Sequence, residues 1–293
     1  MSSRIAASAM GLVAAFALSA CGPKQEVHSG ERIRELKEIS LAQLRVMLRG
    51  YPGDWRPDGE LSSSKPEPPS QKAIPEGATR ITLAHPASSA LGGQSVRDAI
   101  AERRSVRRFS ATEISREALG YLLWATQGVT GVERDPFGQI VHAYRAAPSA
   151  GGRYPIETYL AIQRVNGLRP GLYRYLPNAH ELLLLREDSA FPAGIQSACF
   201  DEPATKDAAV IFIWSATPSR TEWKYAYLAH RMIAMEAGHI CQNLYLTAQS
   251  CQLGALALLS YHQPTLDALL GLDGVEEFSI YLACVGKPTN SNE

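Results

Sequence analysis

An α+β fold is predicted for most of this 293-residue chain, and three features predict it. Helical and strand-like segments are mixed without a repeating strand–helix–strand rhythm. The run Ala208–Trp214 (AAVIFIW) is continuously apolar, as in a strand covered on both faces. A long helical pattern follows it, from about Thr221 to Ser250. Together they describe a central sheet with long helices packed on it. Composition agrees, because 45% hydrophobic residues are enough for a sizeable core. The 29 Lys and Arg balance 29 Asp and Glu. A chain without net charge is not a general nucleic-acid binder, so any anion site is local.

Taken in order, residues 1–20 read as a signal rather than as part of the fold. Arg4 gives a short positive region, and Ile5–Ala17 is apolar. Leu18-Ser19-Ala20-Cys21 ends the segment with small residues, and the whole is too short for an ordinary membrane span. The Cys after Leu-Ser-Ala resembles the bacterial lipoprotein box. That resemblance implies lipidation at Cys21 and anchoring that faces the periplasm, at the outer membrane because Gly22 is not Asp. Residues 21–94 read as a tether, an amphipathic helix over Glu31–Arg49 and a Pro- and Ser-rich linker or extended arm over Tyr51–Ala78.

The main domain is expected over 95–288, with 289–293 a tail. Helices are expected over Ser95–Arg104 and Ser115–Gln127, and a strand over Glu157–Arg164. Gly171–Leu176 and His180–Leu185 form a hairpin pattern around Pro177-Asn178. Ser219-Arg-Thr-Glu222 offers a capping box to the long helix. Strands over Leu256–Ser260 and Glu276–Val285 enclose a short helix at Pro264–Leu270. The four cysteines beyond the signal lie in apolar-periodic segments and read as buried thiols.

Four segments carry candidate chemistry. Arg103-Arg104-Ser105-Val106-Arg107-Arg108-Phe109 puts four guanidiniums and a hydroxyl at a helix end, donors suited to a phosphate. By charge alone the run also reads as a solvated basic face. Pro148-Ser149-Ala150-Gly151-Gly152 lets backbone approach a planar ligand closely, or is simply a turn. Trp223-Lys224-Tyr225 is followed by Glu236-Ala-Gly-His239 and Gln242-Asn-Leu244. Glu236, His239 and Asn243 fall at i, i+3 and i+7, so they share a helical face, where a buried Glu–His pair is the plainer expectation. Gln252-Leu-Gly254-Ala255 is either a helix C-cap or a site of close backbone approach. A hydrolase or a zinc protease is excluded in its usual form, since no G-x-S-x-G and no H-E-x-x-H is present.

In this order the segments resemble the nitroreductase superfamily, and most nearly its SagB-type branch, which includes dehydrogenases that oxidise azolines. The resemblance covers about residues 95–288. It implies an antiparallel-rich sheet flanked by long helices, with FMN held at a homodimer interface. It assigns Arg103, Arg104, Ser105, Arg107 and Lys287 to the FMN phosphate. Pro148, Ser149, Ala150, Gly151, Gly254 and Ala255 then lie along the flavin, and Lys224 and Tyr225 become a proton-handling pair. The family pattern is not kept at Ala257–His262, on the substrate side. The implied activity is ping-pong hydride transfer between flavin and an organic small-molecule or peptide-derived substrate. An exported enzyme is remote from NAD(P)H, which favours a dehydrogenase-type reaction with an unidentified donor or acceptor. The alternative is a non-catalytic, lipid-anchored dimer that binds FMN or another ligand on the same fold.

Overall fold

The computed structural model describes Arg45 and residues 65–85 and 90–289. The expected signal, Cys21 and the helix over Glu31–Arg49 lie outside the described residues. Nine strands and seven α-helices follow in chain order among the described residues. They are β1 (Arg80–Thr82), α1 (Val96–Glu102), α2 (Arg116–Gln127), β2 (Val129–Arg134), β3 (Ile140–Arg145), β4 (Ile156–Ile162), β5 (Gly171–Leu176) and β6 (Glu181–Glu187). Then come α3 (Phe191–Ala198), α4 (Pro203–Asp207), β7 (Val210–Ala216), α5 (Ser219–Tyr225), α6 (Ala229–Ser250), β8 (Gly254–Leu258), α7 (Gln263–Leu270) and β9 (Phe278–Gly286).

Seven strands form one sheet in the order β1-β6-β5-β4-β7-β9-β8. Each neighbouring pair is antiparallel. β7 runs through its middle and is buried along its whole length, as its apolar sequence requires. Its side chains alternate between two cores. Val210, Phe212 and Trp214 join α2 and α6 on one face. Ile211 and Ile213 join α3 and α7 on the other. The α+β class and the sandwiched sheet therefore follow the sequence.

Local signals place the short helices. Ser95 Oγ accepts from the Asp98 amide at 3.1 Å, and Ser115 Oγ accepts from Ala118 at 3.0 Å, so each serine caps the helix it precedes. Leu119, Leu122 and Leu123 of α2 are buried, whereas Val96 and Ile100, the apolar positions of α1, are 70% and 59% exposed.

The long helix differs from expectation. It is two helices, α5 and α6, joined by a single 3-10 turn over Ala226–Leu228. Ala226 has φ 45° and ψ −127°, a backbone region that favours glycine. The expected capping box does not form: Pro218 holds the cap position and no side chain caps α5.

Upstream, residues 65–78 are an extended arm laid on the domain itself. Lys72 N donates to Glu157 Oε1 at 2.7 Å, its Nζ to Glu277 Oε2 at 2.6 Å, and Arg174 Nη2 donates to the Ala73 carbonyl at 2.6 Å. β1, also before the expected domain start at 95, is an edge strand of the sheet. β2 and β3 form a separate two-stranded hairpin.

Candidate functional site

The predicted residues gather in two places. In the first, the segment leaving α1 crosses the ends of β8 and β9. Val106 N donates to the Ala255 carbonyl at 3.0 Å, and Ser110 N donates to the Lys287 carbonyl at 2.8 Å. Ser105 bridges to Ala255. Arg103, Ser105, Gly254, Ala255 and the backbone of Lys287 thus converge on one end of the sheet.

Tyr245 of α6 organises them. Its ring centre lies 5.2 Å from the Arg103 guanidinium, its hydroxyl lies 3.3 Å from Ser105 Oγ, and it accepts from Ala257 N at 2.8 Å. Arg104 folds back, donating to the carbonyls of Ala101 and Arg103 at 3.0 and 2.9 Å. It lines a cleft of about 860 Å3 together with Gly92, Gly93, Gln252, Leu253 and Pro288. Arg107 and the Lys287 side chain are exposed, and neither pairs with a described carboxylate. These cations therefore keep unused donors for an anion.

Gly254 has a definite packing role. A Cβ there would lie 2.6 Å from Val106 Cβ, so only glycine lets β8 approach the arginine segment this closely. It does not end α6, whose C-cap is Cys251.

In the second place, the 148–152 turn meets α5. Gly151 has φ 60°, and a Cβ on it would stand 2.5 Å from Tyr225 Oη and 3.0 Å from Lys224 Nζ. Lys224 and Tyr225 therefore rest directly on the turn that also holds Ser149 and Ala150. Lys224 is exposed and Tyr225 half-buried, with the ammonium 5.7 Å from the phenol ring centre. Pro148, just before the turn, is exposed.

Ser149 Oγ accepts from Tyr154 N at 2.8 Å and shares a hydrogen bond with Glu236 of α6. Glu236 is 3% exposed. Burial pushes its carboxyl up to about 7, against the opposing effects of Ser149, Arg145 and Arg220. Arg220 pairs with Glu157 at 2.6 Å, both buried, and donates to the Tyr154 carbonyl at 2.9 Å.

The expected Glu236–His239 pair is not formed. His239 is exposed, and Asn243 Nδ2 donates to the Ala125 carbonyl at 2.9 Å. The edge of the buried stripe falls between Glu236 and His239. Sequence reasoning missed Tyr245 and the Arg145–Glu157–Arg220 group. Tyr245 reads as one more core aromatic on an apolar helix. The buried charges lie on separate elements, and no spacing links them.

The two places do not merge within one chain. Nine positions on α6 separate Glu236 from Tyr245, which puts them about 13 Å apart along the axis and on opposite faces.

The comparisons agree with this architecture. The family model described as the nitroreductase family matches residues 100–287. A Methanocaldococcus jannaschii protein described as a nitroreductase is 29% identical over 65% of this chain and 89% of its own length. The trifolitoxin-processing protein TfxB of Rhizobium leguminosarum bv. trifolii is 26% identical over 52% of this chain, which spans 42% of that relative. Among solved structures, one from Anabaena variabilis described as a nitroreductase superposes with a TM-score of 0.58 at 22% identity, covering 72% of this chain and 42% of that one. With its fold, its ordered motifs and the match over most of the domain in agreement, this chain belongs to the nitroreductase family.

Proposed function

We propose that this protein is an FMN-dependent oxidoreductase whose site is completed by a second copy of the chain. One observation supports the reading: the cationic group around Arg103 and the small-residue turn at Gly151 lie on opposite faces of α6. The half around Arg103, Ser105 and Arg107 offers guanidinium forks and a hydroxyl beside a close-packed strand end, chemistry suited to a phosphate. The half around Ser149, Gly151, Lys224 and Tyr225 offers a flat, small-residue turn with two proton-bearing groups. A two-fold partner would set one chain's arginines against the other's turn.

FMN, when bound, supplies the acceptor and donor of hydride. The chain's own residues hold and orient. Arg103 and Arg107 neutralise the phosphate, with Arg104 and Lys287 at the rim. Gly254 and Ala255 would present backbone donors and acceptors to the bound flavin. Lys224 and Tyr225, seated on Gly151, would take or return a substrate proton. The substrate is an organic small molecule or a peptide-derived group. The likeness to a toxin-processing relative supports the latter. Export and lipidation at Cys21 belong to the same proposal and rest on the signal-like N-terminus.

The test is the visible spectrum of the purified protein after incubation with FMN and desalting. The wild type should retain a flavin spectrum, and Arg103→Ala/Arg107→Ala should lose it while keeping its fold. Full retention by the variant would overturn the phosphate clamp, and a folded, colourless wild type would overturn the cofactor. Bound flavin that no donor reduces would point instead to a non-catalytic ligand-binding dimer.

A further inference from the structure

The arm ahead of β1 touches both sides of the second half-site. Trp223 Nε1 donates to the Lys65 carbonyl at 2.9 Å. Glu67 forms an ion pair with Arg153. The Arg153 guanidinium lies 5.2 Å from the Trp223 ring, and its Nε donates to the Gly151 carbonyl at 3.1 Å. Further along, the Ser70 carbonyl accepts from Arg145 at 2.9 Å and from Arg220 at 3.4 Å. Trp223 and Arg220 are in α5, and Arg153 follows the Gly151 turn directly. The arm therefore clips the helix that carries Lys224 and Tyr225 to the turn on which they rest.

That helix needs holding. It has seven residues, no side-chain cap, and a break at Ala226 that separates it from α6. A helix this short does not sustain itself, so its position is set by what packs on it. An exposed ion pair contributes little alone. Arg153, however, is only 11% exposed and is held at once by a carboxylate, an indole face and a carbonyl.

We propose that residues 65–70 are a positioning strap: the Lys65 carbonyl and Glu67 lock Trp223 and Arg153 together and so fix Lys224 and Tyr225 on the Gly151 turn. The role given to that pair rests on the function proposed above. Glu67, Arg153 and Trp223 act through Lys224 and Tyr225 and are positioning residues.

The test uses the full chain and hydrogen exchange. Glu67→Gln/Trp223→Phe removes the carboxylate charge and the indole donor while keeping the aromatic ring. Amide protection over residues 219–228 should fall by about tenfold, with β7 unchanged. Lys224 should also react several-fold faster with an amine-acetylating ester, read by mass spectrometry. Glu67→Asp should keep wild-type values in both. Arg80→Gln, which breaks the Arg80–Glu181 pair at the edge strand β1, outside the strap, should leave α5 unaffected. Unchanged exchange over 219–228, or an equal loss in β7, would overturn the strap. FMN retention is scored separately from exchange and labelling. If the wild type holds no FMN, the cofactor reading falls, while exchange and Lys224 labelling still decide the strap.

Discussion

A glutamate in a helix is normally a solvated charge, and Glu236 departs from that because α6 buries it between the Ser149 turn and two arginines. Desolvation is the largest influence on it, so the native state favours its protonated form. The folded value, about 7, lies above the ordinary 4.5. The resulting stabilisation is complete below the ordinary value and is lost as pH rises through the folded one. Glu236→Gln keeps a partner for Ser149 but cannot ionise. The variant and the wild type should unfold alike at about pH 4, below the ordinary carboxyl value, and by about pH 8 the variant should be the more stable by roughly 3 kcal/mol. Urea midpoints at the two pH values measure this, and a pH-independent difference would show that the carboxyl stays ionised in the native state. The sequence pattern led to a buried Glu236–His239 pair; Glu236 is buried as expected, but His239 is exposed, and the pattern does not mark where the buried stripe ends between them. Gly254 was marked for close backbone approach, and in the fold it is Val106 of the arginine segment that it lets β8 approach.

At the scale of elements, legibility followed how local the signal was. α1 and α2 start at the serines that cap them, and the β5–β6 hairpin turns at Pro177-Asn178, because caps and turns are encoded within a few residues. The β2–β3 hairpin was missed. Val132, Ile140, Val141 and Tyr144 are exposed on it, so its apolar residues point to no core of its own chain. β1 has three residues, too few for any period to register. The break between α5 and α6 was hidden because the apolar pattern continues across it. Ala226 is the strained residue there, at φ 45°. Ala226→Gly should raise stability by about 1 kcal/mol, the relieved strain outweighing the extra chain entropy of glycine. A shift of the denaturant midpoint measures it. A lower midpoint would mean that the Ala226 methyl packs more favourably than its backbone strains.

At the scale of the whole molecule, the chain leaves apolar surface that a monomer does not use. The outer side of α6 exposes Ala234, Met235 and Gly238, with Met235 55% exposed. Beside it lies an apolar groove of about 320 Å3 lined by Ile233, Leu259, Ile280 and Tyr281. Phe137, at the tip of the β2–β3 hairpin, is 89% exposed. A two-stranded hairpin is marginal in water without a cover. A second copy set against α6 would cover these surfaces and join the two half-sites. Contacts between chains leave no period along one chain, so a shared site entered the sequence reading only through the family resemblance, which implied FMN at a homodimer interface. Met235→Glu places a charge in the proposed contact without touching the arginine segment or the Ser149 turn. It should give a monomer by light scattering and lose retained FMN, although every cofactor-facing residue is intact. A wild type that is monomeric yet binds FMN, or a monomeric variant that binds it as tightly, would mean that one chain suffices and that the two faces of α6 serve separate purposes. Paired loss of dimer and flavin would tie the cofactor to assembly.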